Sequence, residues 1–195
     1  MKFKLLVVVL LFTSLFNSCN TTVKRLSDEG YMYAMIYDYD SLPVTGVAVY
    51  LNGIKVTDSD IQGRFVLEDM KPGNYRIRLV KRGYETFEDT FQYVAMQILY
   101  FRLINADQLL SLAELEMDVN EYETAEDFLN RALVLEPTRS DILFLAAIAN
   151  NMQSKTNEAI DLLERIVRSG GADPSVLRLL DMLKQEEVEQ DLQDE

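Results

Sequence analysis

The chain has 195 residues, 48% of them apolar, with 32 acidic against 19 basic side chains and a net charge of −13. Histidine and tryptophan are absent and there is one cysteine, which excludes the usual zinc sites, Cys-His nucleophiles and histidine general bases, and with them most enzyme classes. The acidic excess repels phosphate backbones, so nucleic-acid binding is not expected.

The chain opens on Met1-Lys2-Phe3-Lys4, two positive charges ahead of an apolar run from Leu5 to Phe12, and Leu15-Phe16-Asn17-Ser18 then lead into Cys19. This run is far shorter than the roughly 20 residues a membrane span needs, so a cleaved signal is the expected reading. A small residue directly before a cysteine resembles the lipobox of bacterial lipoproteins. The resemblance implies loss of residues 1–18 as signal peptide and attachment to the membrane through acyl chains on Cys19. Two or three chains hold a protein stably, where one binds only marginally. Phe16 and Asn17 depart from the commonest lipobox. The alternative is an ordinary secretory signal with an incidental thiol. Asn20 is not the aspartate that retains lipoproteins in the inner membrane of some bacteria, which points to the outer membrane of a bacterial cell envelope, on its periplasmic or surface face. Residues 19–29 are polar and aperiodic and read as a lipidated tether.

Between about 30 and 105 short alternating runs are separated by turn signals, predicting strands at 31–38, 45–51, 54–57, 63–68, 74–81, 85–93 and 96–104. Tyr75, Ile77 and Leu79 alternate with Arg76 and Arg78, and Val47, Val49 and Leu51 alternate with Ala48 and Tyr50, each placing an apolar stripe on one face. Seven short strands in this length predict an antiparallel β-sandwich. Gly63 and Gly73 are expected to supply backbone angles that a Cβ resists, Pro72 to set a turn, and Tyr84 to cap one end of the core.

The turns carry a second resemblance. Asp38, Leu42-Pro43-Val44, Gly46 to Tyr50, Thr57-Asp58, Gly63-Arg64-Phe65, Met70-Lys71-Pro72-Gly73-Asn74-Tyr75 and Arg82-Gly83-Tyr84 together resemble the carboxypeptidase regulatory-like domain, a transthyretin-like sandwich, or the related PEGA domain. That resemblance implies a spacer or binding module without catalytic residues. Asp38, Asp40, Asp58 and Asp60 invite a calcium reading, but Asp58-Ser59-Asp60 lacks the glycine-centred twelve-residue loop and its bidentate glutamate, so turn capping is expected and no metal or cofactor is assigned. Tyr31, Tyr33, Tyr37 and Tyr39 present either a sugar-stacking platform or ordinary strand packing.

From 106 onward the sequence becomes acidic, with 21 acidic against 7 basic residues. Shifted by 34 residues it superposes Leu109 on Leu143, Ala113 on Ala147, Ala125 on Ala159, Asp127 on Asp161, Leu129 on Leu163 and Arg131 on Arg165. With Leu112, Tyr122, Ala132 and Pro137, this period resembles the tetratricopeptide repeat, a pair of antiparallel helices. Small Ala113 and Ala125 are expected to let the helices approach, and Asn120 to take a left-handed turn. The second copy has Gly170-Gly171 where a proline is usual. Asp173-Pro174-Ser175 then opens a capping helix with Val176, Leu179, Leu180 and Leu183 on one stripe. The expected organisation is thus two repeats plus the capping helix over 106–190 and an acidic tail at 191–195.

Two repeats imply a short concave groove lined by Asp107, Leu110, Glu114, Met117, Phe144, Ile148 and Asn151. Such a groove fits a peptide with apolar and basic character. Equally, its apolar members could be covered within the fold and its carboxylates solvated. The chain is therefore expected to be a non-catalytic, membrane-tethered adaptor for another envelope protein; the alternative is a solute- or glycan-binding lipoprotein using the β surface.

Overall fold

The computed structural model describes residues 30–194 except positions 96 and 172, and side chains as far as 189. Cys19, the signal segment 1–18 and the tether 19–29 lie outside the described residues. Seven strands, β1 Gly30–Asp38, β2 Ala48–Leu51, β3 Ile54–Asp58, β4 Arg64–Met70, β5 Gly73–Val80, β6 Phe87–Tyr93 and β7 Ile98–Leu103, precede five helices: α1 Ala106–Asp118, α2 Tyr122–Leu135, α3 Ser140–Met152, α4 Thr156–Arg168 and α5 Pro174–Asp194. Helix α5 thereby extends through most of the acidic stretch read as a tail.

The strands form two sheets, ordered β4-β1-β7 and β3-β2-β5-β6. Period-two alternation sends Met32, Ala34 and Ile36 of β1, Phe65 and Leu67 of β4, and Phe101 and Leu103 of β7 into one cluster with Val49, Leu51, Ile77, Leu79 and Tyr93 of the other sheet. Both sheets therefore bury one face against a shared core. The expectation that every strand pairs antiparallel is corrected at one place: β1 and β7 run parallel, Tyr33 opposite Ile98 and Asp38 opposite Leu103. Parallel neighbours need a crossover connection, and the five intervening strands supply it. Both strands consequently begin at the tether end and finish at the helical end.

Two turns show the side-chain logic. Gly63 has φ +72°, and an added Cβ would collide with the Ile36 carbonyl. Ser59, fully inside, donates to the Val44 carbonyl at 2.7 Å and accepts from the Val47 amide at 2.9 Å, pinning the segment that leads into β2. Gly73, by contrast, is not among the residues with positive φ, so its expected special backbone angle is not found. Its φ is one that other residues also adopt.

Helix α1 starts on a capping box: Asn105 Oδ1 accepts from the Gln108 amide at 2.9 Å, and Gln108 Oε1 accepts from the Asn105 amide. Leu109, Ala113, Ala125, Leu129 and Ala132 lie in one buried cluster with Ile142, Ala146 and Ala149. A second cluster joins Leu143, Ala147, Ala159, Leu163 and Ile166 to Val176, Leu180 and Leu183 of α5. Each helix packs on its neighbours in sequence, giving two hairpins and a final helix laid on the second. The apolar clusters of the helices are separate from the cluster between the sheets.

Candidate functional site

The helical surface expected to form a groove is only partly free. Leu110 and Met117 are half-buried against the first helical cluster and Phe144 against the second. Ile148 and Asn151 are half-buried, while Asp107 and Glu114 are exposed. Asp107 is also committed electrostatically. Arg139, in the loop before α3, donates through Nη1 to Asp107 and through Nε and Nη2 to Asp141 at 2.8 and 2.9 Å. This fork links the start of α1 to the start of α3. The Asp141 and Asp107 carboxylates hold the Arg139 guanidinium more firmly protonated than usual, and Arg139 holds Asp141 below the ordinary carboxylate range. The acidic rim expected at Asp107 is therefore a partly neutralised ion-pair cluster. Arg139 was not legible in the sequence as a member of the site, because its partners are set by the packing of α1 on the next hairpin.

Asp107 meets instead the junction with the sheets, lining a cleft of about 280 Å³ with Tyr39, Asp40, Gln108, Ser111, Leu112 and Leu115. Across that junction Gln108 Nε2 donates to Asp40 Oδ2 at 2.6 Å, and Arg131 donates to both oxygens of Glu85 at 2.8 and 2.7 Å. On the strand side of the junction, the Glu85 amide donates to the Ile104 carbonyl at 2.9 Å. These contacts fix the first hairpin on the far ends of β1 and β7.

Three of the four aspartates make local contacts, and the fourth crosses the junction. Asp38 Oδ1 accepts from the Asp40 and Leu42 amides, and Asp60 Oδ1 from the Gln62 and Arg64 amides. Asp58 pairs with Lys55 at 2.9 Å, and Asp40 is the acceptor for Gln108 just described.

The tyrosines do not fill the core. Tyr31, Tyr33 and Tyr39 are 51%, 47% and 51% exposed, and Tyr37 is half-buried with its hydroxyl near the Met35 sulfur. Tyr31, Tyr33, Met35 and Tyr37 project from the outer face of central β1. Register places Val66 and Ile98 on either side of Tyr33, and Arg64 and Tyr100 on either side of Met35. Tyr33, Met35, Arg64, Val66, Ile98 and Tyr100 line a cleft of about 520 Å³ on this face. The outer face of the other sheet is polar, with Arg76, Arg78, Glu88 and Thr90 along a cleft of about 560 Å³. There Arg78 pairs with Glu88 at 3.0 Å and stacks on Tyr50.

No family model matches the chain, and no curated protein matches it. Among solved structures, a crystal structure of MamA is similar over 45% of this chain at 25% identity, with a TM-score of 0.42. The second TPR domain of human RPAP3, in complex with the HSP70 peptide SGPTIEEVD, is similar over 41% of this chain and 67% of that one, at 22% identity and a TM-score of 0.39. The Bacillus anthracis TIE protein is similar over 40% of this chain and 16% of that one, at 14% identity and a TM-score of 0.35. The likeness to MamA spans 51% of its chain.

Proposed function

We propose that this protein is a non-catalytic bacterial envelope lipoprotein in which Cys19 carries the acyl anchor, a transthyretin-like β-sandwich is the spacer, and tetratricopeptide-like hairpins recruit another envelope protein. The observation that carries this reading is the direction of β1 and β7. Both lead from the Gly30 end, which continues from Cys19, to the Asp38 and Leu103 end, where α1 begins. The nine residues of β1 span about 30 Å at roughly 3.3 Å each. With the strands rising from the bilayer at their tether end, this length would hold a strongly acidic helical half beyond the screening distance of anionic headgroups. Confinement to the membrane raises the effective concentration of such an adaptor toward other envelope proteins.

The partner chemistry follows from the exposed residues of the helical face. Glu114 remains exposed and Phe144 and Ile148 half-exposed, which suits a segment combining apolar and basic side chains. The anchor is tested by Cys19→Ala. The variant is expected in the soluble fraction or as unprocessed precursor, and wild-type protein that is mature, soluble and carries a free thiol would contradict the assignment.

A further inference from the structure

We propose that the tether end of the β4-β1-β7 sheet rests in the interfacial layer of the bilayer that holds Cys19, so that the protein touches its membrane through a sheet face as well as through acyl chains. This rests on the anchor assignment above. A sheet with one buried face normally turns polar side chains to water on the other. The β3-β2-β5-β6 sheet obeys, with Arg76, Arg78, Glu88 and Thr90 outside. The β4-β1-β7 sheet does not: Tyr31, Tyr33, Val66, Ile98 and Tyr100 are 51%, 47%, 44%, 54% and 66% exposed on its outer face.

The apolar surface reaches the tether end of the sheet. Gly30 lies beside Ala95, since a Cβ added there would stand 3.5 Å from the Ala95 methyl, and exposed Val94 adjoins it. Tyr31, Tyr33, Val94 and Ile98 therefore gather where the tether joins the sheet. Charge stands at both ends of this face, Arg102 opposite Tyr37 toward the helices and exposed Glu68 beside Tyr31 at the tether end. Only residues 20–29 separate Cys19 from Gly30, and a chain extends at most about 3.3–3.6 Å per residue, or about 36 Å in all. The apolar end is thus confined within reach of the bilayer whenever the anchor is inserted.

The chemistry selects the occupant. Tyrosine suits the headgroup layer because its ring is apolar and its hydroxyl stays hydrated. The charges beside the patch are mixed: Arg64 is paired with Asp60 at 3.1 Å, and Glu68 follows on the same face of β4. Such a rim matches zwitterionic headgroups rather than a strongly anionic surface.

The test uses full-length acylated protein carrying one new cysteine, Ile98→Cys or Val66→Cys on this face or Thr90→Cys on the opposite one. Each is labelled with an environment-sensitive fluorophore and reconstituted in phosphatidylcholine vesicles containing nitroxide lipid. Several-fold stronger quenching at positions 98 and 66 than at 90 is expected. Equal, weak quenching at all three in vesicle-bound protein would overturn the sheet contact and leave the anchor standing. Failure of the acylated protein to associate with vesicles would remove both. Disulfide-linked pairs formed on mild oxidation of unlabelled Ile98→Cys protein would assign the face to a second copy, and a label response to soluble polysaccharide without one to lipid would assign it to a glycan. Either result overturns the proposal.

Discussion

Asn120, Ser154 and Gly170 end three helices with the same left-handed backbone, at φ +63°, +59° and +88°. The amides of Glu121, Lys155 and Gly171 then donate to the carbonyls of Glu116, Asn150 and Ile166, closing each helix five residues back. Asparagine and glycine tolerate this region and serine does so less readily. Ser154→Gly should therefore raise stability by about 0.5–1 kcal/mol, read as a higher urea midpoint, with Asn120→Gly giving less; a destabilised Ser154→Gly would contradict the assigned strain. Asn120 was legible in the sequence because its residue type permits the turn. Ser154, 34 residues on, was not, since the repeat marks its position but serine does not announce a positive φ. The orientation of the tyrosines was illegible for a different reason. Along β1 both sets, Met32, Ala34 and Ile36 against Tyr31, Tyr33 and Tyr37, contain apolar surface, so alternation defines two faces without selecting the buried one.

Between elements, equivalent positions in the two hairpins make equivalent reaches backward. Arg131 of α2 grips Glu85 in the sheets, while Arg165 of α4 donates to the Pro137 carbonyl at 3.0 Å, in the turn after α2. The period showed that these arginines correspond; their partners depend on packing and could not be read from it. A double-mutant cycle on Glu85→Gln and Arg131→Gln should give a coupling of about 0.5–1 kcal/mol, because the pair is bidentate yet partly solvated. Additive effects would show that the fork contributes nothing to the junction. A second tie joins α2 to the second hairpin through Glu126, which accepts from Gln153 at 3.0 Å and pairs with Lys155. Burial pushes the Glu126 carboxyl up, but the bonds from Lys155 and Gln153 outweigh it and hold the group below its ordinary 4.5. A depressed folded-state pKa stabilises above the unfolded value and loses that stabilisation as pH falls through the folded one. The urea midpoint should therefore drop on acidification below pH 4.5, and Lys155→Met should make that part of the profile shallower. An unchanged slope in the variant would remove Glu126 from the account.

At the scale of the whole molecule, the two halves bury separate apolar clusters, except that Ile104 at the end of the strand half enters the first helical cluster, and polar contacts join them beside it. Fragments 20–105 and 106–195 should accordingly each give a cooperative melt and their expected circular-dichroism signature, strand in one and helix in the other. If neither melts cooperatively, the halves share more of their stability than their clusters suggest. The change of composition and charge near Asn105 coincides with the passage from β7 to α1, and the seven strands were legible from their turns. The parallel pairing of β1 with β7 was not, because strand direction beside a neighbour depends on the path of the five strands between them. That pairing underlies the central claim, a helical half presented at the far end of a membrane-anchored spacer to a protein partner. The most direct measurement is site-specific photocrosslinking in intact cells from Glu114 and Asn151 on the helical half and from Thr90 on the polar sheet face, read by mass spectrometry. The account predicts a discrete adduct with one envelope protein from Glu114 and Asn151 and none from Thr90. Adducts confined to Thr90, or none from the helical positions in cells where the protein is acylated and folded, would contradict it.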